Sequence, residues 1–132
     1  MSRDKVKYGT GEEVLMKIAN CKDIEPLRAE DIGITGANAL LFRFLIHRGD
    51  GAPNFSMMLL ELAPGGNTPQ HCHGWEEEIF VKSGKGEIET AGGRNSLGPG
   101  DFLYIGPDEK HQFLNTGDES LEMICLVPHS SD

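Results

Sequence analysis

The stretch His71-Cys72-His73-Gly74-Trp75-Glu76-Glu77-Glu78-Ile79-Phe80-Val81 decides how the chain is read. Two histidines stand two residues apart, and three consecutive carboxylates follow. Side chains alternate across a β-strand, so His71 and His73 would share a face and Cys72 would oppose it. Gly74-Trp75-Glu76 reads as a bend, and Glu77 to Val81 as a second strand. On that strand Glu77, Ile79 and Val81 form one face, and Glu78, Phe80 and Lys82 the other. If Glu77 returns to the face of the histidines, two imidazoles and a carboxylate converge on one point. That is the start of a coordination shell for a divalent transition metal. The competing reading is a pair of surface histidines beside an acidic run on a solvated loop.

Strand signals extend from this stretch in both directions. Upstream, residues 38–47 carry Phe42, Phe44 and Ile46 on one face and Leu41, Arg43, Leu45 and His47 on the other. Residues 48–54 form a turn cluster, and their Arg-Gly-Asp reads as a hairpin tip. Residues 55–62 form a second strand, apolar on both faces, and residues 63–69 a loop. Downstream, Ser83-Gly84-Lys85-Gly86 predicts a tight hairpin, because glycine accepts φ > 0. Short strands follow at 87–90, 94–97, 101–105, 111–115 and 121–127, divided by turn formers. Nine or ten short strands without a convincing long helix predict an all-β sandwich or barrel built as a jelly roll. Residues 1–37 differ, being polar with one apolar segment at 14–18; residues 12–20 fit either a turn or two of helix or an edge strand. The predicted organisation is an N-terminal arm, residues 1–37, and a β-barrel domain, residues 38–132. The arm is expected to pack on the barrel or on the second subunit of a homodimer.

The 132 residues suit one domain. Seventeen glycines and seven prolines agree with many turns. A formal charge of −9 argues against nucleic acid and against an anionic membrane surface, since both need basic patches. No apolar run is long enough to span a bilayer, and the charged start Met1-Ser2-Arg3-Asp4-Lys5 leads into no apolar signal region. Cys21, Cys72 and Cys125 are scattered and odd in number, which does not make a disulfide framework. These features predict a soluble cytoplasmic protein with reduced thiols.

The motif spacing resembles that of the small single-domain cupins, of the cupin 2 conserved barrel type. Their first motif runs glycine, five residues, His-x-His, three or four residues, Glu, six residues, glycine. Here Gly65, His71-Cys72-His73, Glu77 and Gly84 stand at those intervals. The second motif opens with glycine, places His eleven positions on, and Asn after three more residues; Gly100, His111 and Asn115 fit it. Two details depart. The motif's proline is displaced by one, to Pro107, and its second glycine is replaced by Asp108. The resemblance covers residues 38–127 and implies a double-stranded β-helix (jelly-roll) barrel. It also implies a metal set of His71, His73, Glu77 and His111 around one divalent transition metal. Mn and Fe are favoured, and Zn, Ni or Co also suit three imidazoles and one carboxylate. On an octahedral ion this set leaves two adjacent positions open to water, dioxygen or a substrate oxygen.

Each candidate has a plainer alternative. Glu76 and Glu78 compete with Glu77, which is favoured by the interval to Gly84 and by sharing parity with Ile79 and Val81. Cys72 is expected to point away and pack, His47 to sit at a surface turn, and His129 to be solvated near the C-terminus. Trp75 is either a packing residue or part of the pocket rim. Phe113, Ile79 and Val81 are expected to line an apolar pocket around the metal.

The function expected is that of a metal-dependent enzyme, dioxygenase- or oxidoreductase-like, acting on a small oxygen-rich substrate. Glu77 would serve as ligand and proton acceptor. The alternative is a non-enzymatic module that binds a small metabolite. Oxalate decarboxylation is a minor option, because the decarboxylases that resemble this chain carry an arginine three residues before the first metal histidine. Thr68 stands there in this chain.

Overall fold

The computed structural model describes residues 7–8, as backbone, and residues 16–129. Among the described residues the strands are β1 (Lys7–Tyr8), β2 (Lys17–Ile18), β3 (Leu27–Arg28), β4 (Asn38–Ile46), β5 (Phe55–Asn67), β6 (Glu77–Ser83), β7 (Gly86–Thr90), β8 (Gly93–Leu97), β9 (Phe102–Ile105), β10 (His111–Leu114) and β11 (Leu121–Pro128). Of the segment read as helix or edge strand, Lys17–Ile18 is strand, and residues 12–15 lie outside the described residues. Among the described residues, helical structure is confined to 3-10 turns, and no helix is long and apolar enough to cross a membrane.

β1 and β2 pair with each other, and the other nine strands form one antiparallel sheet that curls into a double-stranded β-helix barrel. One wall runs β3-β4-β5-β11-β6-β9 and the other β10-β7-β8. β5 joins them. Its first part pairs with β4 and β11, and its last residue, Asn67, pairs with Leu114 of β10. Alternation sets what faces the interior. On β6, Glu77, Ile79 and Val81 are buried while Glu78, Phe80 and Lys82 are exposed; on β11, Leu121, Met123, Cys125 and Val127 point inward. Leu40, Leu62, Val81, Leu121 and Met123 are fully buried, each contributing about 1.5–3 kcal/mol by leaving water.

Three local expectations fail. Residues 63–69 were expected as a loop, but β5 continues to Asn67. Gly66 permits this: a Cβ there would lie 2.7 Å from the Asn38 carbonyl oxygen, so only glycine lets the two backbones approach. Residues 83–86 do not close a hairpin, since β6 pairs with β11 and β9, and β7 with β10 and β8. They form the corner at which the chain changes walls. Gly84 has φ +85, and a Cβ on it would meet the Ser120 carbonyl oxygen at 2.2 Å. Residues 71–73 are not a regular strand either; His71 makes an isolated antiparallel bridge to His111. The Arg48–Asp50 turn does cap the β4–β5 hairpin, with His47 and Asp50 forming a capping box.

The residues before β3 cover part of the outer face. Lys17 Nζ donates to the Leu45 carbonyl and to Asp50, both at 2.9 Å, and Arg43 donates to the carbonyls of Cys21 and Ile24 at 3.2 and 2.6 Å. Leu59 points outward by register, beside Arg43 and Ile124, yet it is 3% exposed.

Candidate metal centre

Four elements bring the candidate residues together. His71 and His111 exchange backbone hydrogen bonds at 3.2 and 3.0 Å. The loop before β10 is tied to the histidine loop, because the Asp108 amide donates to the His73 carbonyl at 2.6 Å. Asp108, at the position of the cupin motif's glycine, has φ +65. Aspartate is one of the few side chains that accept this left-handed conformation, so the substitution keeps the loop. Glu77 opens β6 with its side chain inward.

The donor atoms of His71, His73, Glu77 and His111 all lie within 4.8 Å of one another. The three imidazole centres are 5.2 Å (71–73), 4.9 Å (71–111) and 5.2 Å (73–111) apart. Glu77 Oε1 is 2.6 Å from His73 Nε2 and 3.4 Å from His111 Nε2. Nδ1 of His73 is 2.8 Å from the Trp75 carbonyl, and Nδ1 of His111 is 2.8 Å from the Glu109 carbonyl. A carbonyl only accepts, so both Nδ1 atoms carry hydrogen, and each neutral ring turns the lone pair of Nε2 to the centre. A lone pair 2.6 Å from a carboxylate oxygen requires a proton or a cation between them. Protonating one ring satisfies one contact, and the neighbouring imidazoles oppose protonation of more. A divalent cation satisfies all four donors at once, so the residues present fit such an ion.

Without a metal, a proton on His111 takes the place of the cation. Burial works to raise the Glu77 carboxyl, but hydrogen bonds from His111 and Cys125, with the charge of His111, outweigh it and hold its pKa at about 2. Burial likewise opposes charge on His111, yet its contacts with Glu77 and the Glu109 carbonyl raise its pKa. His71 is lowered, by partial enclosure of its ring and then by His111 and His73. Cys125, 48 positions from Glu77 in the chain, donates its thiol hydrogen to Glu77 Oε2 at 3.2 Å. Burial above all pushes that thiol up, so it stays protonated as a donor. The sequence reading missed this contact; the one signal was the inward parity of Cys125 on β11.

The remaining candidates fall elsewhere. Glu76 and Glu78 are exposed, Glu78 on the outer face of β6. Cys72 is exposed and so does not pack as expected, because the loop lacks the strand geometry that would turn it inward. Trp75 packs partly on the core and lies flat on His73, 4.3 Å away with 5° between the planes. His47 is exposed at its turn, as expected. His129 is buried, not solvated: it donates through Nε2 to the Ala52 carbonyl at 2.6 Å, and its Nδ1 is 3.1 Å from the Ser56 hydroxyl. Val81 is wholly buried, and Ile79 and Phe113 nearly so. All three belong to the core cluster, and the Phe113 ring meets that of His111 edge-on with 6.3 Å between centres. Thr68 is buried too, its hydroxyl accepting from the Phe113 amide at 2.8 Å.

The sequence model of the cupin domain family matches residues 58–127, just over half of the chain. The polyketide synthase CurC of Streptomyces cyaneus is 29% identical over 109 residues, covering 82% of this chain and 66% of CurC, a little under two thirds of that protein. The solved structure of the polyketide cyclase RemF from Streptomyces resistomycificus is similar with a TM-score of 0.79 and 30% identity, over 86% of this chain and 79% of RemF. A protein from Thermotoga maritima described as a predicted oxalate decarboxylase shares the fold, with a TM-score of 0.72 and 20% identity over 84% and 97% of the two chains.

Proposed function

Because the chain belongs to the cupin-domain family, we propose that it is a metal-dependent enzyme acting on a polycarbonyl or phenolic molecule of the polyketide type, with ring closure as its reaction. The observation that carries the metal part is the 2.6 Å approach of His73 Nε2 to Glu77 Oε1, with the other ring nitrogen already tied to a carbonyl. The likeness to RemF and CurC supports the substrate class and the cyclisation. A divalent ion held by His71, His73, Glu77 and His111 would supply Lewis acidity toward the oxygens of a 1,3-dicarbonyl or a catechol.

The chain's own groups would do the rest. The carbonyls of Trp75 and Glu109 fix the orientation of His73 and His111. Glu77 would serve as a ligand and charge anchor, its Oε2 held by the Cys125 thiol. One carboxylate against a dication leaves net positive charge, which favours an enolate or phenolate over its neutral form. His71, the most exposed of the four, marks the side from which substrate arrives.

A dioxygenase reading shares this donor set, since Mn and Fe bound by it are redox-capable. Metal analysis of protein purified without added metal, then assays of β-diketones and phenols with and without oxygen, separate the readings. Ring-closed product without oxygen consumption is the expected result. Oxygen uptake coupled to product favours the dioxygenase. Binding seen by thermal shift, with no turnover under either condition, overturns the enzyme reading and leaves a small-molecule-binding module.

A further inference from the structure

The three imidazoles of the metal centre are not held alike. His73 is fixed on two sides by one residue: its Nδ1 donates to the Trp75 carbonyl at 2.8 Å, and the Trp75 indole lies flat against its ring. His111 donates through Nδ1 to the Glu109 carbonyl at 2.8 Å, and its ring meets that of Phe113 edge-on. Glu77 receives the Cys125 thiol on Oε2, while its Oε1 stands 2.6 and 3.4 Å from the Nε2 atoms of His73 and His111. The side chains of His73, His111 and Glu77 are 10%, 2% and 12% exposed. His71 is the exception. It is exposed, and among the described residues its ring takes part in no hydrogen bond and no ion pair. Its ring contacts are the other two imidazoles, at 5.2 and 4.9 Å between centres. Its backbone, by contrast, is anchored by the two hydrogen bonds exchanged with His111. The main chain is fixed and the ring is not, so rotation about the side-chain bonds carries the ring toward solvent without breaking the bridge.

We propose that His71 is a displaceable ligand, an inference that rests on the metal-dependent reading of the site. His73, Glu77 and His111 hold the ion, and the His71 ring gives up its place to an oxygen donor of an incoming ligand. Two arguments select His71. The first is support. A histidine whose second ring nitrogen is hydrogen-bonded is oriented and made more basic, and loss of such a partner weakens metal binding by about 10- to 100-fold. His73 and His111 have that partner and His71 has none, so exchange for another donor costs least at His71. The second is place. His71 is the ring on the solvent side, so an arriving ligand meets it first, and only there can a ring turn outward. What remains is two imidazoles and one carboxylate, a set that binds a dication while leaving positions open. A neutral imidazole leaves without changing the charge balance, so the attraction for an anionic oxygen persists. On an octahedral ion three positions then become available instead of two. That suits a polycarbonyl chain, which can offer more than two oxygens.

Nuclear magnetic resonance of the full chain, labelled with nitrogen-15 in histidine and loaded with zinc, tests this on the wild type. Zinc moves one ring nitrogen each of His71, His73 and His111 to its ligated shift. Citrate, which offers three oxygens to one ion, then returns the His71 nitrogen alone to its free shift. Three rings that stay ligated at saturating citrate overturn the proposal, and so does release of His73 or His111 before or together with His71. Zinc titration against a chromophoric chelator gives a second readout. His71→Ala raises the dissociation constant by about tenfold or less, whereas His73→Ala raises it by more than about 100-fold. Equal losses in the two variants overturn the proposal. Thermal melts of the metal-free variants check that each is folded before its affinity is read. A wild-type protein that binds no zinc overturns the metal reading itself, which separates that failure from one in which the ion is bound and His71 never leaves it.

Discussion

Glu77 and Glu78 are adjacent in the chain and live in opposite surroundings. Glu77 is buried among three imidazoles and a thiol, with its carboxyl held at about 2, while Glu78 stands on the outer face beside Phe80 and Tyr104. The same contrast runs along all of β6. Ile79 and Val81 lie in the core, whereas Phe80 and Lys82 face out. Composition does not separate the two faces, since each carries one glutamate and at least one large apolar residue. The difference is a one-residue step on a strand whose register is fixed by β11 on one side and β9 on the other. An inward glutamate becomes chemistry because its neighbours across the barrel are nitrogen donors; an outward one becomes surface.

Substitutions on the two faces should therefore differ most in metal affinity. Glu77→Ala and His111→Ala should each weaken binding by more than about 100-fold, beyond what loss of a supporting contact costs. Glu78→Ala should leave it within about twofold, because that side chain never meets the donors. Metal titration of protein stripped with a chelator measures this. An empty site in Glu78→Ala with a filled one in Glu77→Ala would reverse the assignment of the two faces.

The pH dependence of the metal-free protein is the next largest effect. The Glu77 carboxyl sits near 2 in the fold and near 4.5 unfolded, so its contribution is complete above about pH 4.5 and is lost as pH falls through about 2. This difference is worth up to about 3 kcal/mol. His111 is shifted upward from 6.5, so its contribution is complete below that value and is lost as pH rises through the raised pKa. Thermal melts of metal-free protein should show these two groups stabilising most between about pH 4.5 and 6.5. Glu77→Gln should flatten both flanks. Metal affinity should move the other way, weakening as pH falls below about 6.5, because protonated imidazole does not ligate.

Core packing separates the faces by a smaller margin. Val81→Ala should destabilise the fold by about 2 kcal/mol, from two lost methyl groups and the cavity they leave. Lys82→Ala, one residue on, should cost less than about 0.5 kcal/mol. Denaturant melts read both.

The smallest effect concerns what lies under Glu77. Cys125→Val removes the thiol donor at similar volume and should weaken metal binding by about tenfold, while Cys125→Ser, which keeps a donor, should weaken it less. Equal losses in the two variants would mean that the thiol acts through packing alone.

Much of this was legible in the chain itself. The alternation in residues 77–82, and the even spacing of apolar residues from Leu121 to Val127, fixed which side chains could share an interior, because side-chain direction on a strand depends only on local backbone sterics. The intervals around His71, His73, Glu77 and His111 matched a known barrel motif, and the structure brings those four together. Pairing partners were a different matter. Gly84 read as a hairpin because glycine permits tight turns of many kinds; the backbone at Ser120 makes it a corner between walls. Gly65 and Gly66 read as loop, and the approach of the Asn38 carbonyl makes Gly66 part of a long strand. Cys125 reaches Glu77, and Ser56 reaches His129, across 48 and 73 positions of chain. Local sequence states which way a residue can point. Which groups stand opposite it is set by closure of the whole sheet, where contacts distant in sequence outweigh local preference.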